Sequence, residues 1–77
     1  MEDLLEFLAR ALVYQPDQVS VEGFDEDDGT IVLEIHVADE DVGKMIGRGG
    51  RTISSVRTVM RAVASRQDAR VLVDVID

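Results

Sequence analysis

From Glu2 to about Tyr14 apolar residues recur at three- and four-residue spacing. Leu4, Leu8, Ala11 and Leu12, with Leu5 beside them, share one face, which predicts an amphipathic helix. Glu2, Asp3 and Glu6 sit where the helix dipole favours negative charge. Gln15-Pro16 stops the helix, because the residue before proline is pushed out of helical geometry. Phe7 and Tyr14 read as packing residues, since neither lies near the glycine-rich stretch at 43–50.

The pattern then changes to alternation. Gln18 to Phe24 puts Val19 and Val21 on one face and Ser20 and Glu22 on the other, a strand. Asp25-Glu26-Asp27-Asp28-Gly29 is a polar turn. Its four adjacent carboxylates lack the spaced oxygen ligands of a calcium loop, so no metal site is expected there. Thr30 to Val37 is a second strand, with Ile31, Leu33, Ile35 and Val37 inward and Val32, Glu34 and His36 outward. His36 has no neighbouring Ser or Cys nucleophile and reads as a sheet-face residue.

Asp39 reads as an N-cap, with Glu40 and Asp41 filling the first turn of a short helix that ends at Ile46. A longer helix follows from about Gly50 to Arg66, with Ile53, Val56, Met60 and Val63 as its core stripe. Arg57 and Arg61 line one margin of that stripe, and Val59 the other, near Ser55 and Ala62. Arg70 to Ile76 is a third strand with Val71, Val73 and Val75 inward. The first two strands are close enough for an antiparallel hairpin. The two-helix crossover allows the third to pair in parallel with the second. This predicts an α+β fold, a three-stranded mixed sheet with three helices on one face.

The 77 residues are expected to form one domain with a small core, and the absence of cysteine excludes disulfides and thiolate metal sites. With no other staple available, oligomerisation is the route left to extra stability. No signal peptide or membrane-spanning run is visible, which makes a cytoplasmic protein the expectation. The net charge of −8 argues against a polyanion ligand until its distribution is read. Residues 1–43 hold one base against thirteen acids, a net of −12; residues 44–77 hold seven bases against three acids, a net of +4. Between 44 and 67 there are six bases and no acid. Exposed charges beyond ~8 Å are largely screened at physiological salt, so the local surplus decides.

That basic stretch contains the densest chemistry in the chain, Val42-Gly43-Lys44-Met45-Ile46-Gly47-Arg48-Gly49-Gly50-Arg51-Thr52-Ile53. Glycines at both ends of Gly47-Arg48-Gly49-Gly50 allow positive φ and close backbone approach. Amides at the start of the next helix carry partial positive charge, and Arg48 and Arg51 add full charges, so an anion-binding turn between helices is predicted. A Walker loop would place Lys-Ser/Thr directly after its last glycine, and here Lys44 precedes the turn. A dinucleotide fingerprint would need glycine at position 52, which is Thr52. No catalytic constellation is present, so no enzyme activity, cofactor or metal is expected.

The pattern Ile46-Gly47-x-x-Gly50-x-x-Ile53 resembles the KH domain, whose loop of this form clamps about four backbone nucleotides. The helix-strand-strand-helix-helix-strand order is that of a type II KH-like domain. Asp41-Val42-Gly43-Lys44-Met45-Ile46-Gly47, Gly50-Arg51, Val56-Arg57-Thr58-Val59 and Arg70-Val71-Leu72-Val73 are similar to the small bacterial single-KH proteins of the KhpA (YlqC) type. The similarity runs from Leu12-Val13 and Pro16-Asp17 to Asp77.

The resemblance implies single-stranded RNA as ligand at the loop that Gly47 opens, bound by the backbone amides of Arg48, Gly49 and Gly50. Lys44, Arg48 and Arg51 would add charge, and Val42, Ile46 and Ile53 an apolar floor that is also core. Arg57 and Arg61 would serve as edge contacts. With no aromatic residue near the loop in sequence, modest affinity and weak base selectivity are expected, and single-stranded DNA stays open as a ligand. The resemblance further implies an RNA chaperone or post-transcriptional regulator linked to cell shape and cell-wall biogenesis. It implies a homodimer, and pairing with a larger KH-containing protein of the KhpB (Jag) type. Ser55, Val59 and Ala62 are the expected dimer face. The competing class is a protein-interaction module that keeps the KH fold and uses its RNA site little.

Overall fold

The computed structural model describes residues 1–76; Asp77, counted among the acids above, lies outside the described residues. Helix α1 spans Glu2–Leu12, strand β1 Ser20–Asp25 and strand β2 Thr30–His36. Helix α2 spans Val42–Ile46, helix α3 Arg51–Arg66 and strand β3 Arg70–Ile76. Single 3₁₀ turns at Pro16–Gln18, Asp39–Asp41 and Arg48–Gly50 join them. The predicted α-β-β-α-α-β order and α+β class are observed.

The sheet order is β1-β2-β3, with β1 antiparallel and β3 parallel to the central β2. Leu33, Ile35, Val71 and Val73 point from its inner face into one core with Leu5, Ala9, Met45, Ile53, Val56, Met60 and Ala64. Leu33 and Ile35 are fully buried, each contributing about 1.5–3 kcal/mol. All three helices cover this face.

Two small residues differ from the predicted pattern. Ala9 and Ala64 are buried, while Ala11 and Leu12 are exposed and Val63 is half-buried. An alanine lets the helix backbone approach the sheet closely, and larger neighbours move to the margin. The hairpin is closed by Glu26 N–H to Thr30 O (2.8 Å) and Gly29 N–H to Glu26 O (3.0 Å). Thr30 N–H donates to Asp28 Oδ1 at 2.9 Å, and this bond holds the Asp28 carboxyl below the usual carboxylate range.

Asp39 is not the N-cap that its position predicts. Ala38 holds that place, and no side chain caps the turn. Asp41, expected only as a first-turn acid, has the larger role. It is fully buried, and its Oδ1 and Oδ2 accept the amides of Tyr14 and Gln15, both at 3.0 Å. A buried carboxylate needs such donors. It thereby ties the chain leaving α1 to the start of α2, the element that carries the glycine turn.

Candidate nucleic-acid interface

Helix α2 ends at Gly47, whose φ of +79° and ψ of 170° leave helical space while its amide closes on Gly43 O at 2.8 Å. A Cβ here would lie 2.8 Å from the Thr52 backbone nitrogen and closer still to its hydroxyl, so only glycine fits. Gly49 (φ +64°) and Gly50 (φ +77°) complete the reversal, and α3 starts at once. Among the described residues no side chain caps the N-terminus of α3, which leaves its partial positive charge open to an anion.

The backbone donors differ from the expected set in one respect. The Gly50 amide is taken up by Gly47 O at 3.0 Å. The amides of Arg48 and Gly49 have no acceptor among the described residues. These two are the donors available to a ligand, with the exposed Arg48 and Arg51 side chains beside them.

Lys44 sits differently. Its Nζ lies 4.2 Å from the centre of the Tyr14 ring, a cation–π contact. Tyr14 is 76% exposed and Phe7 70%, so neither is the packing residue that the sequence reading makes it. Tyr14 is brought to α2 by the Asp41 clamp, across 27 residues of chain. An accessible aromatic ring therefore does stand against one of the expected site cations.

The apolar floor divides. Ile46 is 40% exposed and accessible, Val42 is half-buried, and Ile53 is buried in the core. Arg57, expected as an edge contact, donates Nε–H to Val73 O at 2.9 Å, and its guanidinium lies 3.7 Å from Asp74 Oδ1. Arg61 lines an open cleft of about 710 Å³ with Asp28, Ser65 and Asp68, at the hairpin end of the molecule. On the outer side of α3, Ser55, Val59 and Ala62 are all exposed. Val59 and Ala62 line a shallow, mainly apolar depression of about 600 Å³ with Thr58, Val63 and Arg66.

The model of the family described as the KhpA/KhpB KH domain matches residues 2–75. The chain belongs to this family. It is 43% identical to an RNA-binding protein KhpA of Clostridium acetobutylicum over 76 residues, covering 99% of this chain and 100% of that one. It is 44% identical to the KhpA of Halalkalibacterium halodurans over 78 residues, covering both chains fully. A KhpA of Chlamydia caviae is 36% identical over 77 residues, covering all of this chain and 97% of that one. Among solved structures, Aquifex aeolicus Era bound to GDP and aluminium fluoride aligns with a TM-score of 0.60 at 18% identity. Era in complex with a GTP analogue and nucleotides 1506–1542 of 16S ribosomal RNA aligns equally well. This chain is covered to 97% in both and spans 30% of Era's length, so the likeness is one of fold.

Proposed function

We propose that the chain is a single-domain, non-enzymatic RNA-binding protein that grips single-stranded RNA at the Gly47–Gly50 turn. The observation that carries this reading is the pair of unpartnered amides of Arg48 and Gly49, at an uncapped helix N-terminus beside two exposed arginines. Phosphates meet these amides and the Arg48 and Arg51 side chains, and Ile46 supplies the accessible apolar surface against a base. Lys44 joins them by leaving the Tyr14 ring. The KhpA relatives are named as RNA-binding proteins, and the fold recurs in an Era structure that holds ribosomal RNA. The protein acts in the cytoplasm as an RNA chaperone or post-transcriptional regulator, with a role in cell-shape and cell-wall homeostasis. Among the described residues no helix is long and apolar enough to cross a membrane.

Salt dependence tests the phosphate contacts. Each contact to a single strand contributes a slope of ~0.7 in log affinity against log salt. Lys44, Arg48 and Arg51 together give a slope of roughly −2, and the two arginines alone roughly −1.4. Titrating a short oligoribonucleotide from low to moderate salt measures it. A flat line would remove phosphate contacts from the reading.

A second reading, a protein-interaction module, is favoured by the outer side of α3. Val59 is 43% exposed beside the small residues Ser55 and Ala62. Through this face we expect a homodimer with the two α3 helices packed together; a larger KH-containing partner of the KhpB (Jag) type would use the same face. Val59→Lys is expected to shift sedimentation to monomer while circular dichroism stays unchanged. Wild-type protein that sediments as a monomer at high concentration would refute the homodimer.

A further inference from the structure

The outer face of the sheet carries a row of three carboxylates. Glu22 pairs directly with Glu34, and Glu34 pairs directly with Asp74. Like charges directly opposite on one face repel. At the β3 end the Arg57 guanidinium lies 3.7 Å from Asp74 and offsets part of that repulsion. At the β1 end the neighbour is His36, two residues along β2 on the same face. Its Nε2 faces Glu22 Oε1 at 3.7 Å and Glu34 Oε1 at 3.9 Å.

Those distances are too long for hydrogen bonds. Nε2 is nevertheless closed off from solvent and has no hydrogen-bond partner among the described residues, although the side chain as a whole is 35% exposed. An unsatisfied, solvent-excluded nitrogen between two anionic oxygens is a costly arrangement unless something enters the gap. All three donor atoms lie within 4.8 Å of one another. Zinc bonds of ~2.0–2.2 Å to nitrogen and oxygen, at a tetrahedral angle, set donors about 3.3 Å apart. The two nitrogen–oxygen gaps of 3.7 and 3.9 Å exceed that by a few tenths of an ångström, the two carboxylate oxygens lie within 4.8 Å of each other, and rotation of the two partly exposed glutamates brings the three donors together.

We propose that Glu22, Glu34 and His36 form a site for a zinc-like divalent cation. Three protein donors leave the fourth tetrahedral position to water. The mixed nitrogen and carboxylate set selects a borderline first-row cation over magnesium, which binds through oxygen and holds its waters. With one donor from β1 and two from β2, the bound ion pins the largely exposed edge strand β1 to the centre of the sheet. It also neutralises the repulsive pair Glu22–Glu34. The site lies on the face opposite the helices that carry the glycine turn, so its occupancy and RNA binding are separable.

His36 is the sole histidine of the chain, and its ring signals report the site without ambiguity. The experiment is a proton NMR titration of the untagged full-length protein with zinc chloride near neutral pH, with magnesium chloride as the control. The His36 ring signals are expected to shift and saturate at one equivalent of zinc, and to ignore magnesium. Thermal unfolding is expected to move upward over the same range of zinc, because the ion binds only the folded arrangement. Loss of a direct donor weakens metal sites at least as much as the roughly tenfold seen for outer partners. The Glu22→Gln/Glu34→Gln variant is therefore expected to bind at least about tenfold more weakly by the same ring signals. In His36→Gln the thermal shift is expected to disappear. Ring signals unmoved by excess zinc would overturn the proposal. So would ring signals that titrate equally in the double glutamine variant, since the histidine would then be acting alone.

Discussion

Replacing Arg48 and Gly49 together by Asp is expected to weaken single-stranded RNA binding by at least roughly a hundredfold while leaving the fold intact. The two substituted residues own the two amides of the turn that have no acceptor among the described residues. A carboxylate at each puts negative charge where a phosphate would lie, and the side chain at 49 obstructs approach to the backbone. Each charge-assisted hydrogen bond is worth ~1.5–3 kcal/mol, so losing two accounts for the hundredfold. The fold should tolerate the change for local reasons. Gly47 and Gly50 remain to make the turn, nothing lies within 4 Å of a Cβ at 49, and Asp is among the few residues that accept its φ of +64°. Oligoribonucleotide binding and thermal unfolding measured on one preparation separate loss of the site from loss of the fold. A folded double variant that binds as tightly as wild type would move the site away from the turn and favour the interaction-module reading.

The largest expected effect on stability belongs to Asp41→Ala. Its carboxylate is fully buried and accepts two backbone amides, those of Tyr14 and Gln15. Removing it leaves both donors without a partner, at a cost of about 3–6 kcal/mol. Domains of this size have a total stability of roughly 4–12 kcal/mol. With ~4–8 °C lost per kcal/mol, the melting temperature should fall by at least about 12 °C. Asp41→Asn keeps the shape and one acceptor and should lose less. Thermal unfolding followed by circular dichroism decides this. A loss of only about 2 °C in the alanine variant would mean that water replaces the carboxylate at both amides. The Tyr14 ring should also leave Lys44 in the alanine variant, which tyrosine fluorescence can follow.

What was legible in the sequence was what depends on neighbours in the chain. The phase of Ile31, Leu33 and Ile35 predicts an inward face, and Leu33 and Ile35 are fully buried with Ile31 packed beside them. The reversal at Gly47–Gly50 is equally local, because positive φ at three glycines follows from their lack of a side chain. Contacts made across the chain were not legible. Asp41 reaches Tyr14 and Gln15 over 27 and 26 residues, and Arg57 reaches Val73 over 16. Nothing in the spacing of an acid-rich turn distinguishes the one carboxylate that faces inward. The cluster of Glu22, Glu34 and His36 depends on the register of β1 against β2, which alternation alone does not set. Ala9 and Ala64 were passed over for a different reason. Small residues count little in a hydrophobic pattern, yet closeness of helix to sheet selects them.

The Arg57–Val73 bond has a consequence for self-assembly. Strand β3 has a neighbour on one side only, so its far side offers a row of backbone groups that a strand from another copy could zip onto. Helix α3 lies on the inner face and Asp74 points to the outer one, so Arg57, touching Val73 O and Asp74, wraps around that rim. It fills one acceptor in the middle of the row and sets a fixed charge against any incoming chain. A single guanidinium guards it against polymerising through β3.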